Sequence, residues 1–210
     1  EHHNSNKFYP MLAKGLGRDA IYFDYVTSVE EALGDATYLG KFDAVLLYAN
    51  HGNITPNQWK NLKGYVEAGG GFVPVHCASW CFGNEPGFDQ LVGGRFASHK
   101  VGTCTAKVVD PKHPAMAGVK EFEAWDETYK HKNHNEKDRQ VLMVREVTGK
   151  DDNITEPEPW TWVRTQGKGR VFYTASGHDE RVWKQPAFHQ LLKAGILWSV
   201  GNERKQSYEE

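Results

Sequence analysis

One stretch of the chain decides the fold: residues 42–79 read FDAVLLYANHGNITPNQWKNLKGYVEAGGGFVPVHCAS. Residues 42–49 form a nearly continuous apolar run, which is typical of a parallel strand covered on both faces. Thr55 is a good N-cap and Pro56 loses no needed hydrogen bond at a first helical position, so a helix begins there. That helix ends at the glycines of residues 69–71, and residues 72–76 form a second buried strand. The order strand, helix, strand predicts a βαβ unit.

The residues upstream of this unit also carry periodic patterns. Residues 5–16 repeat apolar side chains at helical spacing and predict an amphipathic helix. Residues 20–26 are rich in β-branched and aromatic side chains and predict a short strand, and residues 30–33 predict a brief helix.

After Phe88 the pattern changes to the alternation of half-solvated antiparallel strands. The predicted strands cover residues 103–109, 121–129, 140–146, 160–164 and 170–175. Residues 166–169 form the turn between the last two strands, and residues 188–200 predict a closing helix. The chain therefore combines a parallel core with a β-rich second half.

Size and composition bound the classes of protein that this chain can belong to. With 210 residues it forms one domain, assigned to residues 1–201 and followed by a polar tail over residues 202–210. The formal net charge of -2 gives no reason to expect a nucleic-acid partner, and the apolar runs are too short for a membrane span. The spacing of the three cysteines does not fit a disulfide framework or a zinc ribbon. A homo-oligomer is left open, and so is the compartment of this soluble chain, whether periplasmic, secreted or cytoplasmic.

Histidines follow the ends of several predicted strands. His51 comes after the strand of residues 42–49, His76 ends the strand of residues 72–76, and His178 follows the strand of residues 170–175. His2 and His3 stand before the first helix, where a preceding strand would place them. Ligands bind at the carboxyl ends of strands in open α/β sheets, so we expect His51, His76 and His178 to face one cleft.

Each of these residues also has a purely structural interpretation. His51, between Asn50 and Gly52, fits a solvated turn, and His76 fits a hydrogen-bonded core residue. His178 fits a helix-capping loop, and the charges of residues 126–129 fit an exposed strand face. We interpret His99, His113 and His189 as structural.

Several motifs, in order along the chain, resemble the ThuA-like (trehalose-utilisation) family. They are residues 2–4 (HHN), 69–79 (GGGFVPVHCAS), 125–129 (WDETY), 159–162 (PWTW), 167–173 (GKGRVFY) and 177–180 (GHDE). The resemblance implies a flavodoxin-like, class I glutamine amidotransferase-like three-layer α/β sandwich with a mostly parallel central sheet and a β-rich second half. It also implies a first strand upstream of Glu1.

The amidotransferase relationship raises one enzymatic alternative. Those enzymes place a nucleophilic cysteine on a tight turn after a strand, and here Cys77 with His178 and Glu180 matches a Cys-His-Glu triad. However, the glycines that usually flank such a turn are replaced by His76 and Ala78, which crowd it. We therefore expect Cys77 not to be the nucleophile.

The family resemblance instead favours carbohydrate chemistry on 3-keto disaccharides or glycosides. The predicted catalytic residues are His76, His178 and Glu127, because neutral imidazole is a suitable base near neutral pH. The predicted substrate-binding residues are Asn50, His51, Trp125, Asp126, Tyr129 and Glu180. The non-enzymatic alternative is a carbohydrate-binding module without catalytic activity.

A divalent metal such as zinc is a further expectation. Imidazole suits zinc and neighbouring transition metals, and ligands on separate strand ends can meet at one point. The predicted ligands are His3, His76 and His178, with Glu127 as a fourth candidate. We expect no nucleotide cofactor.

Overall fold

The computed structural model describes residues 3–206, in which one seven-stranded sheet forms the centre. Its spatial order is β1-β2-β7-β6-β5-β3-β4. The strands are β1 (Ala44–Leu47), β2 (Gly71–Pro74), β3 (Arg95–Val108), β4 (Phe122–Lys132), β5 (Arg139–Arg145), β6 (Glu158–Gln166) and β7 (Gly169–Thr174). β1, β2 and β7 pair in parallel, and each remaining neighbour pairs antiparallel. The predicted parallel core and β-rich second half are thus parts of one sheet.

Helices of the described chain surround this sheet. They are α1 (Ser5–Leu16), α2 (Val29–Leu33), α3 (Ala36–Leu39), α4 (Pro56–Glu67), α5 (Pro86–Val92), α6 (Glu180–Trp183) and α7 (Pro186–Gln206). Helix α7 is interrupted at Gly201, whose φ of 76° and ψ of 166° are not helical. The predicted tail of residues 202–210 therefore begins as helix, and residues 207–210 lie outside the described residues, as does His2.

Two adjacent residues of β2 show that helices cover both faces of the sheet. A side chain at Gly71 would point at Ser199 of α7, whereas Phe72 packs against Phe88 of α5 with ring centroids 6.2 Å apart. Successive residues of a strand point to opposite faces, so α5 and α7 form outer layers on the two sides. The predicted α/β sandwich is confirmed.

The N-terminus of α4 forms as its sequence predicts. The Thr55 side chain accepts a hydrogen bond from the Gln58 backbone N–H, and the Gln58 side chain accepts one from the Thr55 N–H. This capping box satisfies two donors that the first helical turn would leave unpaired. The inward face is also confirmed, because Leu62 and Val66 are buried.

The predicted strand at residues 20–26 is wrong, because these residues form no strand. Tyr22 is 83% exposed, and Tyr25 stacks on Tyr9 of α1 with ring centroids 4.3 Å apart. A strand needs a neighbour to bond with, and here the aromatic side chains pack on a helix instead.

The predicted helix at residues 5–16 is confirmed as α1, which buries Phe8, Leu12 and Leu16. No helix within the described part of the chain is both long and apolar enough to cross a bilayer. The core lies between the sheet and the helices, and its largest fully buried side chains include Trp160, Trp162 and Trp183.

Candidate functional site

Four side chains from separate parts of the chain meet at the carboxyl ends of β2 and β7. They are His3, His76, Glu127 and His178, and their facing nitrogen and oxygen atoms all lie within 4.8 Å of one another. His3 precedes α1, His76 follows β2, Glu127 lies in β4 and His178 follows β7. We call this group, which has three histidines and one glutamate, the His3–Glu cluster.

Five contacts within the His3–Glu cluster are short. His76 Nε2 lies 3.1 Å from both His3 Nε2 and Glu127 Oε2. His3 Nε2 lies 3.3 Å from Glu127 Oε2 and 3.3 Å from His178 Nδ1. His178 Nδ1 is 3.2 Å from Glu127 Oε1. The carboxylate is therefore within contact distance of all three imidazoles.

His76 is the most constrained member of the cluster. Its φ of 50° is in the left-handed region, which costs a residue with a Cβ of the order of 1 kcal/mol or more. Its Nδ1 lies 2.6 Å from the Ala175 carbonyl oxygen, and its ring stacks on Tyr129 with centroids 4.3 Å apart. Burial lowers the pKa of His76 to about 4, so the ring is neutral at neutral pH.

His3 is held from the side of β1. The Asn50 side-chain nitrogen lies 2.8 Å from His3 Nδ1, and the Tyr48 ring meets the imidazole edge-on at 6.1 Å. The Tyr48 hydroxyl donates to the Gly177 carbonyl at 2.8 Å, which ties β1 to the loop after β7. Burial raises the pKa of Tyr48 far above its usual value, so it stays a neutral donor.

Glu127 carries the negative charge of the cluster. Burial favours its neutral form, but hydrogen bonds from His178, His3 and His76 outweigh that effect and hold the pKa of its carboxyl well below the usual range. The hydrogen bond to Glu127 in turn raises the pKa of His178. Residues 126–129 are buried, so their interpretation as an exposed strand face is wrong; the loop after β7 bonds to Asp126, and the His76 ring stacks on Tyr129.

Asp126, predicted to bind substrate, instead anchors that loop. Its carboxylate accepts hydrogen bonds from the backbone N–H groups of Gly177, His178 and Glu127, at 3.0, 3.1 and 2.8 Å. Burial raises the pKa of Asp126 to about 7 even against these donors. Because the side chain is 1% exposed and its oxygens are occupied, its position supports orienting His178 rather than touching a ligand.

A cleft of about 430 Å³ opens directly on the cluster. This volume lies in the range of roughly 300–1,000 Å³ that is usual for small-molecule sites. Its walls carry charges of both signs, and its lining residues are His3, Asn4, Lys7, Phe8, His178, Asp179, Glu180 and Arg181. Lys7 pairs with Glu180, and Arg181 pairs with Asp179.

The other predicted substrate-binding residues occupy different positions around this cleft. Trp125 is half-buried, with its ring 5.8 Å from that of His178 and the Arg181 guanidinium 3.4 Å above it. Glu180 lines the cleft. Tyr129 is 2% exposed beneath His76, so it supports the cluster from inside.

Of the three histidines predicted to face one cleft, the structure brings two together. The rings of His76 and His178 have centroids 6.0 Å apart. His51 is exposed, and its backbone carbonyl accepts a hydrogen bond from the Phe82 N–H at 2.8 Å. The end of β1 reaches the cluster through Asn50 instead.

Cys77 is placed differently from an activated nucleophile. Its side chain is 1% exposed, and burial raises its pKa well above the usual value, which disfavours the thiolate. Glu180, the third member of the hypothetical triad, pairs with Lys7 and Lys184 at the surface. His178 turns its Nδ1 towards Glu127.

Sequence reasoning set His99 aside as a structural residue, but the structure brings it to the cluster. His99 Nε2 lies 3.7 Å from Glu127 Oε1, and the imidazole is 37% exposed. Residue 99 lies opposite Tyr129 in the β3–β4 register. The pairing of β3 with β4 would have placed His99 near Glu127 in advance. Alternation of polar and apolar residues does not define which residues pair, so the sequence did not provide this information.

Comparison with known proteins places this chain in a family. The sequence profile of the ThuA family, described as trehalose utilisation, matches residues 1–199. Among solved structures, a ThuA-like protein from Bacteroides uniformis is 20% identical, with a TM-score of 0.77 over 93% of this chain and 83% of that one. A ThuA-like protein from Parabacteroides merdae is 19% identical, with a TM-score of 0.79 over 95% and 86%.

A more distant similarity concerns the fold alone. A GMP synthase-type protein from Thermoplasma acidophilum is 11% identical, with a TM-score of 0.59 over 95% of this chain and 91% of that one. These similarities confirm the predicted ThuA-like, glutamine amidotransferase-like fold class. No functionally curated protein matches the sequence. The family profile covers nearly the whole chain, and this chain therefore belongs to the ThuA family.

Proposed function

We propose that this chain is a carbohydrate-modifying enzyme whose His3–Glu cluster binds a divalent transition metal, with a keto-sugar such as a 3-keto disaccharide as substrate. The observation that carries the proposal is the set of short distances among three imidazoles and one carboxylate. A tetrahedral ion with bonds near 2.0–2.1 Å would need ligand atoms roughly 3.3 Å apart. Five contacts in the cluster run from 3.1 to 3.3 Å, and the four facing atoms all lie within 4.8 Å of one another.

The protons of His76 support the same proposal. A neutral imidazole carries one N–H, yet His76 has an acceptor at each nitrogen, the Ala175 carbonyl and the Glu127 carboxylate. Burial disfavours the doubly protonated ring, so only one of the two nitrogens carries a proton. The other nitrogen then faces an oxygen with no proton between them. A cation on the Nε2 side removes that conflict and leaves Nδ1–H bonded to Ala175, the arrangement common for metal-binding histidines.

The chemistry follows from where the cleft meets the cluster. A bound divalent ion would act as a Lewis acid on a carbonyl oxygen of the sugar. His3 and His178, which line the cleft, would hold the ion on the substrate side, while the buried Glu127 and His76 would hold it from behind. The charged side chains of Lys7 and Glu180 suit hydrogen bonding to sugar hydroxyls.

The family description is consistent with this substrate class, because it concerns utilisation of the disaccharide trehalose. The cleft volume of about 430 Å³ is suitable for a small sugar. The cleft walls pair each cation with a carboxylate, so their charges favour a neutral polyhydroxylated ligand.

The deciding experiment uses protein purified without a histidine tag. Metal content is measured for the wild type, Glu127→Gln and the control His113→Asn, whose asparagine keeps the cap on the Ala115 N–H. We expect one metal per chain in the wild type and control, and at least a roughly 100-fold weaker affinity in Glu127→Gln. Turnover of 3-keto disaccharides should disappear with a chelator and return with Zn²⁺, Mn²⁺ or Co²⁺.

Three outcomes distinguish the alternatives. Substoichiometric metal with chelator-resistant turnover would leave His76, His178 and Glu127 as acid, base and hydrogen-bonding groups. Sugar binding without turnover under every metal condition would identify a carbohydrate-binding module. Turnover lost in folded Cys77→Ala but retained in Glu127→Gln would identify the cysteine triad.

A further inference from the structure

A second buried polar group lies directly behind His76 and is not part of the His3–Glu cluster. It consists of Ser79, His131, Glu158 and Tyr173, all of which are at most 7% exposed. Buried polar side chains are costly unless they are hydrogen-bonded, so a network of four in one place calls for an explanation. We call this group the Tyr173 network.

The Tyr173 network connects three strands to the turn that carries His76. Glu158 of β6 accepts a hydrogen bond from the backbone N–H of His131 at 2.9 Å and lies 2.9 Å from His131 Nδ1. His131 Nε2, from β4, lies 3.0 Å from the Tyr173 hydroxyl of β7. That hydroxyl lies 3.0 Å from Ser79 Oγ and 3.2 Å from the His76 carbonyl oxygen.

The donor at each contact of the Tyr173 hydroxyl depends on which nitrogen of the neutral His131 ring carries its one proton. With that proton on Nε2, His131 donates to the Tyr173 oxygen, and Tyr173 donates to the Ser79 oxygen or the His76 carbonyl. With the proton on Nδ1, His131 donates to Glu158, Tyr173 donates to His131 Nε2, and the Tyr173 oxygen accepts from the Ser79 hydroxyl. Within the turn, the Ser79 hydroxyl also lies 3.1 Å from the His76 carbonyl oxygen. In either arrangement the network ends on the turn that carries His76.

His76 needs such support because its backbone is in the left-handed region, with a φ of 50°. A residue with a Cβ stays there only where its surroundings hold it. The turn also defines where the imidazole points, since Nδ1 must reach Ala175 while Nε2 meets Glu127. A small rotation of this backbone would move Nε2 out of the cluster.

We infer that Tyr173 is a positioning residue that fixes the turn at His76, and that His131 and Glu158 orient Tyr173. The inference rests on the proposed function, because the turn matters through the metal ligand that it carries. A purely structural role is the competing explanation, since the same network ties β4, β6 and β7 together.

The experiment compares two variants that each remove one buried hydroxyl from the β6–β7 pair. Tyr173→Phe removes the network's central group. The control Thr161→Val removes a hydroxyl that lies 2.9 Å from Thr174 Oγ1, in a pair that does not include His76. The measurements are the urea midpoint, the affinity for Co²⁺ with its visible absorption spectrum, and the ¹⁵N shifts of the His76 imidazole in metal-free protein at one pH.

We expect both variants to lower the urea midpoint to a similar degree. Only Tyr173→Phe should weaken Co²⁺ binding, by about tenfold, as is usual for groups that orient a metal ligand. It should also change the Co²⁺ spectrum and shift the His76 imidazole resonances. If Tyr173→Phe does not fold, Ser79→Ala should give the same changes to a smaller extent.

Equal Co²⁺ affinity and unchanged His76 resonances in Tyr173→Phe and Thr161→Val would overturn the inference. A wild type that binds no metal would refute the proposed function but not this inference, which the His76 resonances of metal-free protein then decide. Shifted resonances in Tyr173→Phe alone would still establish the positioning of His76.

Discussion

His76 gives the cluster a defined dependence on pH. Burial lowers its pKa from 6.5 to about 4, so folding is favoured while the ring stays neutral. Between about pH 4 and pH 6.5 the unfolded state therefore binds more protons than the folded state. The contribution of neutral His76 to the free energy of unfolding is complete above pH 6.5 and is lost as the pH falls through about 4. A shift of this size corresponds to about 3 kcal/mol.

We therefore expect chelator-treated protein to lose unfolding free energy between pH 7 and pH 4 more steeply than His76→Gln does. The curve of the variant must be subtracted from that of the wild type, because burial also lowers the pKa of His131. His131 therefore makes stability fall with decreasing pH in both proteins. Urea unfolding at several pH values measures both curves. Parallel curves would show that His76 does not carry the effect.

Cys77 provides a test of the catalytic alternative at a single atom. Its thiol is buried and its pKa is raised well above the usual value, so thiolate is scarce at neutral pH. We expect Cys77→Ala to keep its turnover and a thiol alkylator to label wild-type Cys77 slowly. Peptide mapping of the labelled protein and a turnover assay check both points. Rapid labelling, together with an inactive but folded variant, would restore the triad.

The loop between β7 and α6 owes its position to Asp126 of strand β4. We expect Asp126→Asn to lose about 1–3 kcal/mol of stability, because the new NH₂ group faces a backbone N–H that the carboxylate had bonded. The same change should weaken metal binding, since His178 lies on this loop.

Asp89→Asn is the matched control for that variant. Asp89 is also a buried carboxylate, but its partners are Arg95 and Asn133. Denaturant unfolding and metal titration of both proteins separate general destabilisation from displacement of the loop. Equal metal affinity in the two variants would contradict the role given to Asp126.

The elements differ in how well the sequence predicted them, for physical reasons. Helix α4 was predictable because its capping box and buried face are local features. Residues 20–26 have the composition of a strand, but strand formation depends on a neighbour, and their aromatic side chains pack on α1 instead. Asp126 is bonded to a loop that lies 51 residues away in sequence, a contact that local patterning does not show.

At the level of the whole molecule, strand ends indicated most of the side chains that meet in the cluster. The rule that ligands bind at the carboxyl ends of strands selected His51 as well as His3, His76 and His178, and the family motif added Glu127. Both Asn50 and His51 were predicted to bind substrate, but only the Asn50 side chain contacts a cluster member, because the path of the loop after β1 decides which residue turns inward. His99 needed the register of β3 against β4, which is a tertiary property.

A metal in the cluster would join parts of the chain that are far apart in sequence. Ligands before α1, after β2, in β4 and after β7 would be fixed by one ion that the unfolded chain cannot bind in the same way. Binding to the folded state alone stabilises it by about 2.7 kcal/mol at a ligand concentration 100 times the Kd. For a domain of this size, each kcal/mol raises Tm by about 2–4 °C.

We therefore expect a saturating divalent ion to raise the Tm of chelator-treated wild type by about 5–10 °C. His113→Asn should respond like the wild type, because His113 caps a turn outside the cluster. Glu127→Gln should respond much less, since a neutral amide oxygen is a weaker ligand and the three imidazoles alone hold the ion. Differential scanning calorimetry at matched free-metal concentrations makes the comparison. An equal shift in Glu127→Gln and wild type would place the ion elsewhere, because Glu127 is the one anionic member of the cluster.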